Sequence, residues 1–373
     1  MKVLIVGGDF DHNGGRASGL INKFSDCIRR NLDSGTLEVV NGGLLSEDLP
    51  SESDADLVIW APNIPNDEEK SLRLILHYPK KKSGAVLICS KVLREGGTVG
   101  DAVARIFRMH ANAVISISSV GKFFKLNLID ALGNKWSDSA DLQRTADAIF
   151  ELYSWTVKSV RWNSELGSFD EVDGLPLSDA DKSKLDQLCG IVHGLADKVE
   201  NERGGRYFGN VSTRCAKMFP SLRIPDNIVL MSARNVPKNR ITADDFVLTK
   251  LVGEKVIYIG DKKPSVDSPI QLSMYRNYKN INFLVHGHAY IRGAKYTDHY
   301  FPCGDMREYY ELNHVLSSGD ITAFALNLRS HGFVIGTESI EDLAKLVDAL
   351  EFDYRTPNLP VEIETLDVNK ILQ

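Results

Sequence analysis

Apolar residues in the first 160 positions come in short runs set between stretches of helical spacing. Lys2–Val6 (KVLIV), Leu37–Val40, Leu57–Trp60, Ala85–Cys89 and Ala113–Ile117 (AVISI) are strand-like in length and rich in β-branched side chains. Between them, Ser18–Leu32, Glu68–His77, Val99–His110 and Ser139–Val157 place apolar residues at helical intervals. A strand apolar on nearly every position has no face left for water, so both its faces must be covered. Such strands alternating with helices predict an α/β domain built on a doubly wound parallel sheet.

The pattern changes further along. Residues 163–178 (NSELGSFDEVDGLPLS) lose periodicity and gain Gly, Pro and acids, which reads as a linker. Ser178 then caps a predicted helix with Asp179 and Asp181 in its first turn, running to about Asn201. From Gly204 the texture is β-like: Ile228–Ser232, Phe246–Val252, Lys255–Gly260 and Asn282–Ile291. Helical patterns return at Ser268–Tyr278, Met306–Val315 and Ile340–Leu350. The expected organisation is therefore a Rossmann- or flavodoxin-like domain over 1–162, a linker, a second α/β domain over 179–350, and an unassigned tail over 351–373.

A chain of 373 residues exceeds what one core usually holds, which agrees with two domains. Its 43% hydrophobic and 25% charged residues let each half bury a core. The net charge of −6 argues against a nucleic-acid binder driven by bulk electrostatics. Lys80–Lys82 follows Pro79 and reads as a solvated turn. Five cysteines without a CxxC pair fit free thiols in a reducing compartment. No apolar stretch approaches a membrane span, and VLIV near the start is too short for a signal peptide, so a cytoplasmic protein without membrane contact is expected.

Two regions carry candidate chemistry. In the first domain, Gly7 and Gly8 close the first strand, and Gly14, Gly15 and Arg16 precede the first helix. Phosphates bind there in doubly wound folds, at a helix N-terminus. The spacing matches neither GxGxxG nor the P-loop, so the segment reads either as an unusual phosphate loop or as a structural turn. In the second domain, His286 and His288 stand two apart in a strand-like run, which turns both imidazoles to one face. Alone, that pair also fits two hydrogen-bonded histidines with no ligand role.

The surroundings extend the pair into an ordered series. Gly209-Asn210-Val211-Ser212 comes first, then Ile241 to Val247 (ITADDFV), Pro264-Ser265-Val266-Asp267, His286-Gly287-His288, and Ser330-His331-Gly332-Phe333-Val334. This series, over about residues 175–345, resembles the class II aldolase/adducin family. The resemblance implies an α/β/α sandwich with a largely antiparallel sheet. It also implies a divalent metal held by His286, His288 and His331, zinc first, with manganese, cobalt or iron as alternatives. Asp267 falls where the family carries a proton-shuttling glutamate. It also precedes a predicted helix, where an acid is favoured for structural reasons alone. Its shorter side chain would set the carboxylate back by roughly 1 Å, enough to matter for catalysis.

An anionic group would be bound, by the same resemblance, through Gly209, Asn210, Ser212 and Ser265. The family's T-G loop is replaced by Ser232-Ala233-Arg234-Asn235, where Arg234 offers a bidentate grip on phosphate or carboxylate. The implied activity is that of a lyase (aldolase-type, or a related epimerase or dehydratase) acting on an anionic, phosphorylated, sugar-like hydroxy-carbonyl compound through a metal-stabilised enediolate. The implied assembly is a homo-oligomer, with a tetramer favoured. The alternatives are a non-catalytic adducin-like binding module and a nucleotide-linked activity in the first domain.

Overall fold

A computed structural model describes residues 1–11, 14–44, 52–63, 80–81, 85–109, 111–120, 123–131, 133–169, 176–199, 202–203, 206–317, 320–329, 331–353 and 366–372. The chain forms two compact units, Met1–Lys158 and Ser159–Gln373.

The first unit is the expected doubly wound domain. Its strands are β1 (Lys2–Asp11), β2 (Thr36–Leu44), β3 (Leu57–Asn63), β4 (Val86–Val92), β5 (Ala113–Val120) and β6 (Phe123–Asp130). They lie in the order β2-β1-β3-β4-β5-β6. The first five are parallel; β6 runs antiparallel beside β5 and closes the edge. Leu57–Trp60 and Val86–Cys89 are buried at every position, as two-sided cover demands. The helices are α1 (Gly19–Arg30), α2 (Val99–Met109) and α3 (Leu142–Val157). Ser18 caps α1 through the Ile21 amide, and Asp141 caps α3 through the Gln143 amide. The helix expected at 68–77 lies outside the described residues. The strand β6 was not anticipated, because Lys125, Asn127 and Asp130 interrupt the all-apolar signature used to find the others, although Asn127 and Asp130 are buried with Leu126, Leu128 and Ile129.

The second unit holds an eight-stranded sheet. Its strands are β7 (Asn163–Leu166), β8 (Asn210–Arg214), β9 (Ile228–Ser232), β10 (Phe246–Val252), β11 (Lys255–Ile259), β12 (Phe283–Gly287), β13 (Ala323–Leu328) and β14 (Gly332–Thr337). The order is β13-β14-β12-β8-β9-β10-β11-β7, and only the β11/β7 pairing is parallel. The start of the expected linker is thus corrected: 163–166 adds to this sheet as its edge. That strand is short, polar and mostly exposed, so it lacks the apolar signature of a buried strand. Residues 170–175 of the linker lie outside the described part.

Helices α4 (Asp179–Lys198), α5 (Ser268–Asn277), α6 (Met306–Leu316) and α7 (Ile340–Ala349) cover the sheet. Alternate side chains of one strand enter different cores. Phe283 and Val285 of β12 pack with α4 and α7 residues such as Leu188 and Leu346, while Leu284 between them packs with Ile270 of α5 and Leu312 of α6. Phe333 and Ile335 of β14 follow the first group and Val334 the second. This is the two-residue period of a strand buried on both faces. It yields the α/β/α sandwich. In the tail, Phe352–Asp353 pairs with Tyr290–Ile291, and Leu366, Val368, Ile371 and Leu372 pack against the first core. Among the described residues no helix is long and apolar enough to cross a membrane.

Candidate metal centre

The even positions of β12 look toward α5 and α6, and His286 continues the row begun by Leu284. His288 follows the end of the strand, and His331 immediately precedes β14, the neighbour of β12. The chain must approach itself closely to bring them together, and glycine allows it. Gly332 has φ +146°, and a Cβ there would lie 2.0 Å from the Gly287 carbonyl oxygen. The three imidazoles converge: one ring nitrogen from each lies within 4.8 Å of the others. Their ring centroids are 5.1 Å (His286 to His288), 4.7 Å (His286 to His331) and 5.4 Å (His288 to His331) apart.

Two of the three rings have their orientation and tautomer set. His286 Nδ1 lies 2.8 Å from the Phe333 carbonyl oxygen, which can only accept, so Nδ1 carries the proton. His331 Nδ1 lies 2.7 Å from Glu308 Oε1. The first arrangement leaves His286 Nε2 with its lone pair, and the Nε2 atoms of both rings are buried without a hydrogen-bond partner among the described residues. A buried imidazole nitrogen left this way is costly unless something fills the space between the rings. Neutral imidazoles anchored through Nδ1 to a carbonyl and a carboxylate are the donor set that borderline divalent metals take. Burial, with His331 alongside, lowers His286 to about 4, which keeps it neutral and ligand-competent. For His331, burial opposes the charged form, but Cys303 and Glu308 outweigh it and raise the pKa well above that of a free imidazole, so a metal would have to displace the Nε2 proton of this ring. Glu308 is itself raised, chiefly by burial and against the pull of His331.

Asp267 stands beside this group. Its Oδ2 is 3.9 Å from His286 Nε2, and it forms a second close set with Cys303 and His331. It occupies the N-cap position of α5, yet its side chain accepts no cap hydrogen bond from the helix. The structural alternative of a helix-capping acid is therefore not what its carboxylate does. Instead Oδ2 accepts from Asn210 Nδ2 at 3.1 Å, while Oδ1 is buried with no partner among the described residues.

The residues expected to grip an anion lie in a hydrogen-bonded network around Asp267. Asn210 faces His286 across the β8/β12 ladder and donates to both Ser265 and Asp267, while its own carbonyl oxygen accepts from Gln271. The Ser212 hydroxyl meets Gln271 at 2.5 Å and Tyr275 at 2.9 Å. The Ser265 hydroxyl accepts from Asn210 and from the Asp267 amide. Gly209, at φ +75°, lets its backbone close on His286, where a Cβ would lie 2.5 Å from the carbonyl oxygen. The side chains of Asn210 and Ser265 are thus engaged with each other and with Asp267, and that of Ser212 with Gln271 and Tyr275. Arg234 is exposed, and its guanidinium makes no hydrogen bond or ion pair among the described residues. Ser330 lies outside the described part.

Glu308 and Lys238 were not anticipated. The signal for Glu308 was present: an acid on the buried stripe of α6 with Met306, Tyr309 and Leu312. Lys238 lines a small cavity shared with Asn210, His286 and His288, and its Nζ donates to the Val236 carbonyl at 2.8 Å. Nothing in a lone Lys before Asn239 and Arg240 marks it as buried. Cys303 is half-buried and sits with Asp267 and His331. His299 lies exposed against Glu311.

Residues 201–294 match the family model described as the class II aldolase and adducin N-terminal domain. This segment is of the class II aldolase/adducin type. Several solved structures share part of the chain at low identity. YgbL from Escherichia coli has a TM-score of 0.35 and 18% identity over 46% of this chain and 86% of its own. An L-fuculose 1-phosphate aldolase has a TM-score of 0.34 and 15% identity over 46% of this chain and 82% of its own. An aldolase II superfamily protein from Pseudomonas syringae has a TM-score of 0.34 and 18% identity over 47% of this chain and 73% of its own. The aldolase-type segment ends just past the His286–His288 pair, so His331 and Glu308 enter the site from beyond it.

Proposed function

We propose that the second domain is a divalent-metal-dependent enzyme of the aldolase kind, a lyase or the related epimerase or dehydratase, acting on an anionic hydroxy-carbonyl compound. The observation that carries this reading is the convergence of His286, His288 and His331 beside Asp267, whose Oδ1 has no hydrogen-bond partner among the described residues. The three histidines would hold the metal, with zinc the first candidate for three imidazoles and an open position. When bound, such an ion polarises a carbonyl and its neighbouring hydroxyl.

The remaining work falls to the chain's own groups. Glu308 and the Phe333 carbonyl keep His331 and His286 in the Nε2-donor tautomer. Asn210 holds one oxygen of Asp267, which leaves Oδ1 to take or return a proton at the carbon or oxygen of a bound substrate. The network of Ser265, Asn210 and Gln271 fixes that carboxylate in place.

Two variants test the reading together. Elemental analysis of the purified protein is expected to find about one divalent metal per chain, and His288→Ala is expected to lose it while remaining folded. Full metal occupancy in His288→Ala would contradict the ligand assignment. Asp267→Asn is expected to keep its metal and to slow solvent deuterium exchange at the carbon next to the carbonyl by about 100-fold or more, across a panel of hydroxy-carbonyl phosphates. Equal exchange in Asp267→Asn and the native protein would remove Asp267 from the chemistry.

A further inference from the structure

The first domain has a cleft of about 1010 Å³ at the carboxyl ends of its parallel strands. Its walls are the ends of β1, β3 and β4, the segment following β4, and one face of α2. The strand order reverses between β1 and β3, and open α/β sheets take their ligands at such a reversal.

The glycine loop is not what shapes this cleft. Gly7 is filled in by Ile21, and a Cβ on Gly15 would lie 1.6 Å from the Asp9 carbonyl oxygen, so these residues pack backbone on backbone. Of the glycines and arginine singled out in the sequence, Gly8 and Arg16 line the cleft, while Gly7, Gly14 and Gly15 do not.

The charge of the lining is unlike that of the chain. Arg16, Lys91, Arg94, Arg105 and Arg108 face three acids, Asp9, Glu95 and Asp101, in a protein of net charge −6. Two of those acids are already engaged: Asp101 accepts from the Thr98 amide and hydroxyl, at 2.8 Å and 2.9 Å, and Asp9 accepts from Asn63. Arg105 is the most telling. Its Nε is buried and has no hydrogen-bond partner among the described residues. Burial, with Arg108 adding to it, holds its guanidinium below the ordinary value. A partly buried cation beside a second cation is unfavourable unless an anion joins them. A guanidinium presents a fork that matches phosphate. Exposed Val92 and Phe124 add an apolar surface to the same cleft.

We propose that this cleft binds a phosphorylated small molecule of nucleotide size, its phosphate on Arg105 and Arg108 and its apolar part against Val92 and Phe124. The site is separate from the histidine centre and does not depend on the activity assigned there.

Calorimetric titration of the full chain with ADP and with FMN tests it. At least one of the two is expected to bind saturably at about one per chain. That binding should be unchanged in His288→Ala. It should weaken about tenfold or more in the Arg105→Gln, Arg108→Gln double variant, as expected for lost charge-assisted hydrogen bonds. Arg108→Glu, an exposed helix position whose change should not disturb folding, should weaken it as well. Saturable binding of neither probe would overturn the proposal. So would binding that survives both arginine variants, or that disappears in His288→Ala, which would move the ligand to the second domain.

Discussion

Lys238 shows how a single buried charge is set by its surroundings. Burial lowers its pKa from the ordinary 10.5 to about 8, and among the described residues its ammonium donates only to the Val236 carbonyl. Below pH 8 both folded and unfolded chains hold the proton, and the full cost of burying the charge is present. Between about 8 and 10.5 the unfolded chain holds a proton that the folded chain has released, so the contribution to stability rises with pH. Lys238→Met is therefore expected to stabilise the protein at pH 7 by roughly 2–3 kcal/mol. That gain should shrink as the pH approaches 10.5. Urea unfolding at pH 7 and pH 10 measures it. A gap that stays constant with pH would show that Lys238 is not held against its charge. At the same scale, His286, His288 and Asp267 could be named from sequence because residue type and spacing carry their chemistry. Glu308 showed only as an acid on an apolar helix face, and Lys238 not at all, because their importance comes from what surrounds them.

At the scale of elements, the β12/β14 pair is the framework of the histidine centre. Two adjacent antiparallel strands carry Gly287 and Phe333 in register, and Gly332 begins the second strand at a left-handed φ. Gly332→Ala would combine backbone strain with a clash against the Gly287 carbonyl. A loss of roughly 2–4 kcal/mol in urea unfolding is expected, together with loss of bound metal. Native stability in that variant would mean the strands can part without cost. Asn210 and Ser212, expected as anion ligands, show how packing adds partners that spacing does not announce. The motif fixed their positions in the chain, but the helix α5 packed over them supplied Gln271 and Tyr275 as partners.

Across the whole molecule, two units have separate cores, and each contains one of the two proposed sites. Metal binding stabilises only the fold that presents the ligands, by about 2.7 kcal/mol at a hundredfold excess over the dissociation constant. Chelation is therefore expected to raise amide hydrogen exchange within 159–373 and to leave 1–158 unchanged. Increased exchange in the first unit would show that the two are coupled. The resemblance that marked the second domain reached across both flanks of its sheet. No comparable series marked the first, whose cleft is lined by cations drawn from one strand, two loops and one helix.

Sequence alone determined the class of each domain, the strand-and-helix order of most elements, and the three histidines. Those properties follow from period, residue type and spacing, which are local. The tertiary structure decided where the first unit ends, because a polar edge strand is recognised only by the strand it joins. It also decided which polar groups of the aldolase-type segment face Asp267 and which remain open. That choice depends on helices brought over the sheet from elsewhere in the chain, and the burial they impose is what sets the charge and tautomer of each group beneath them.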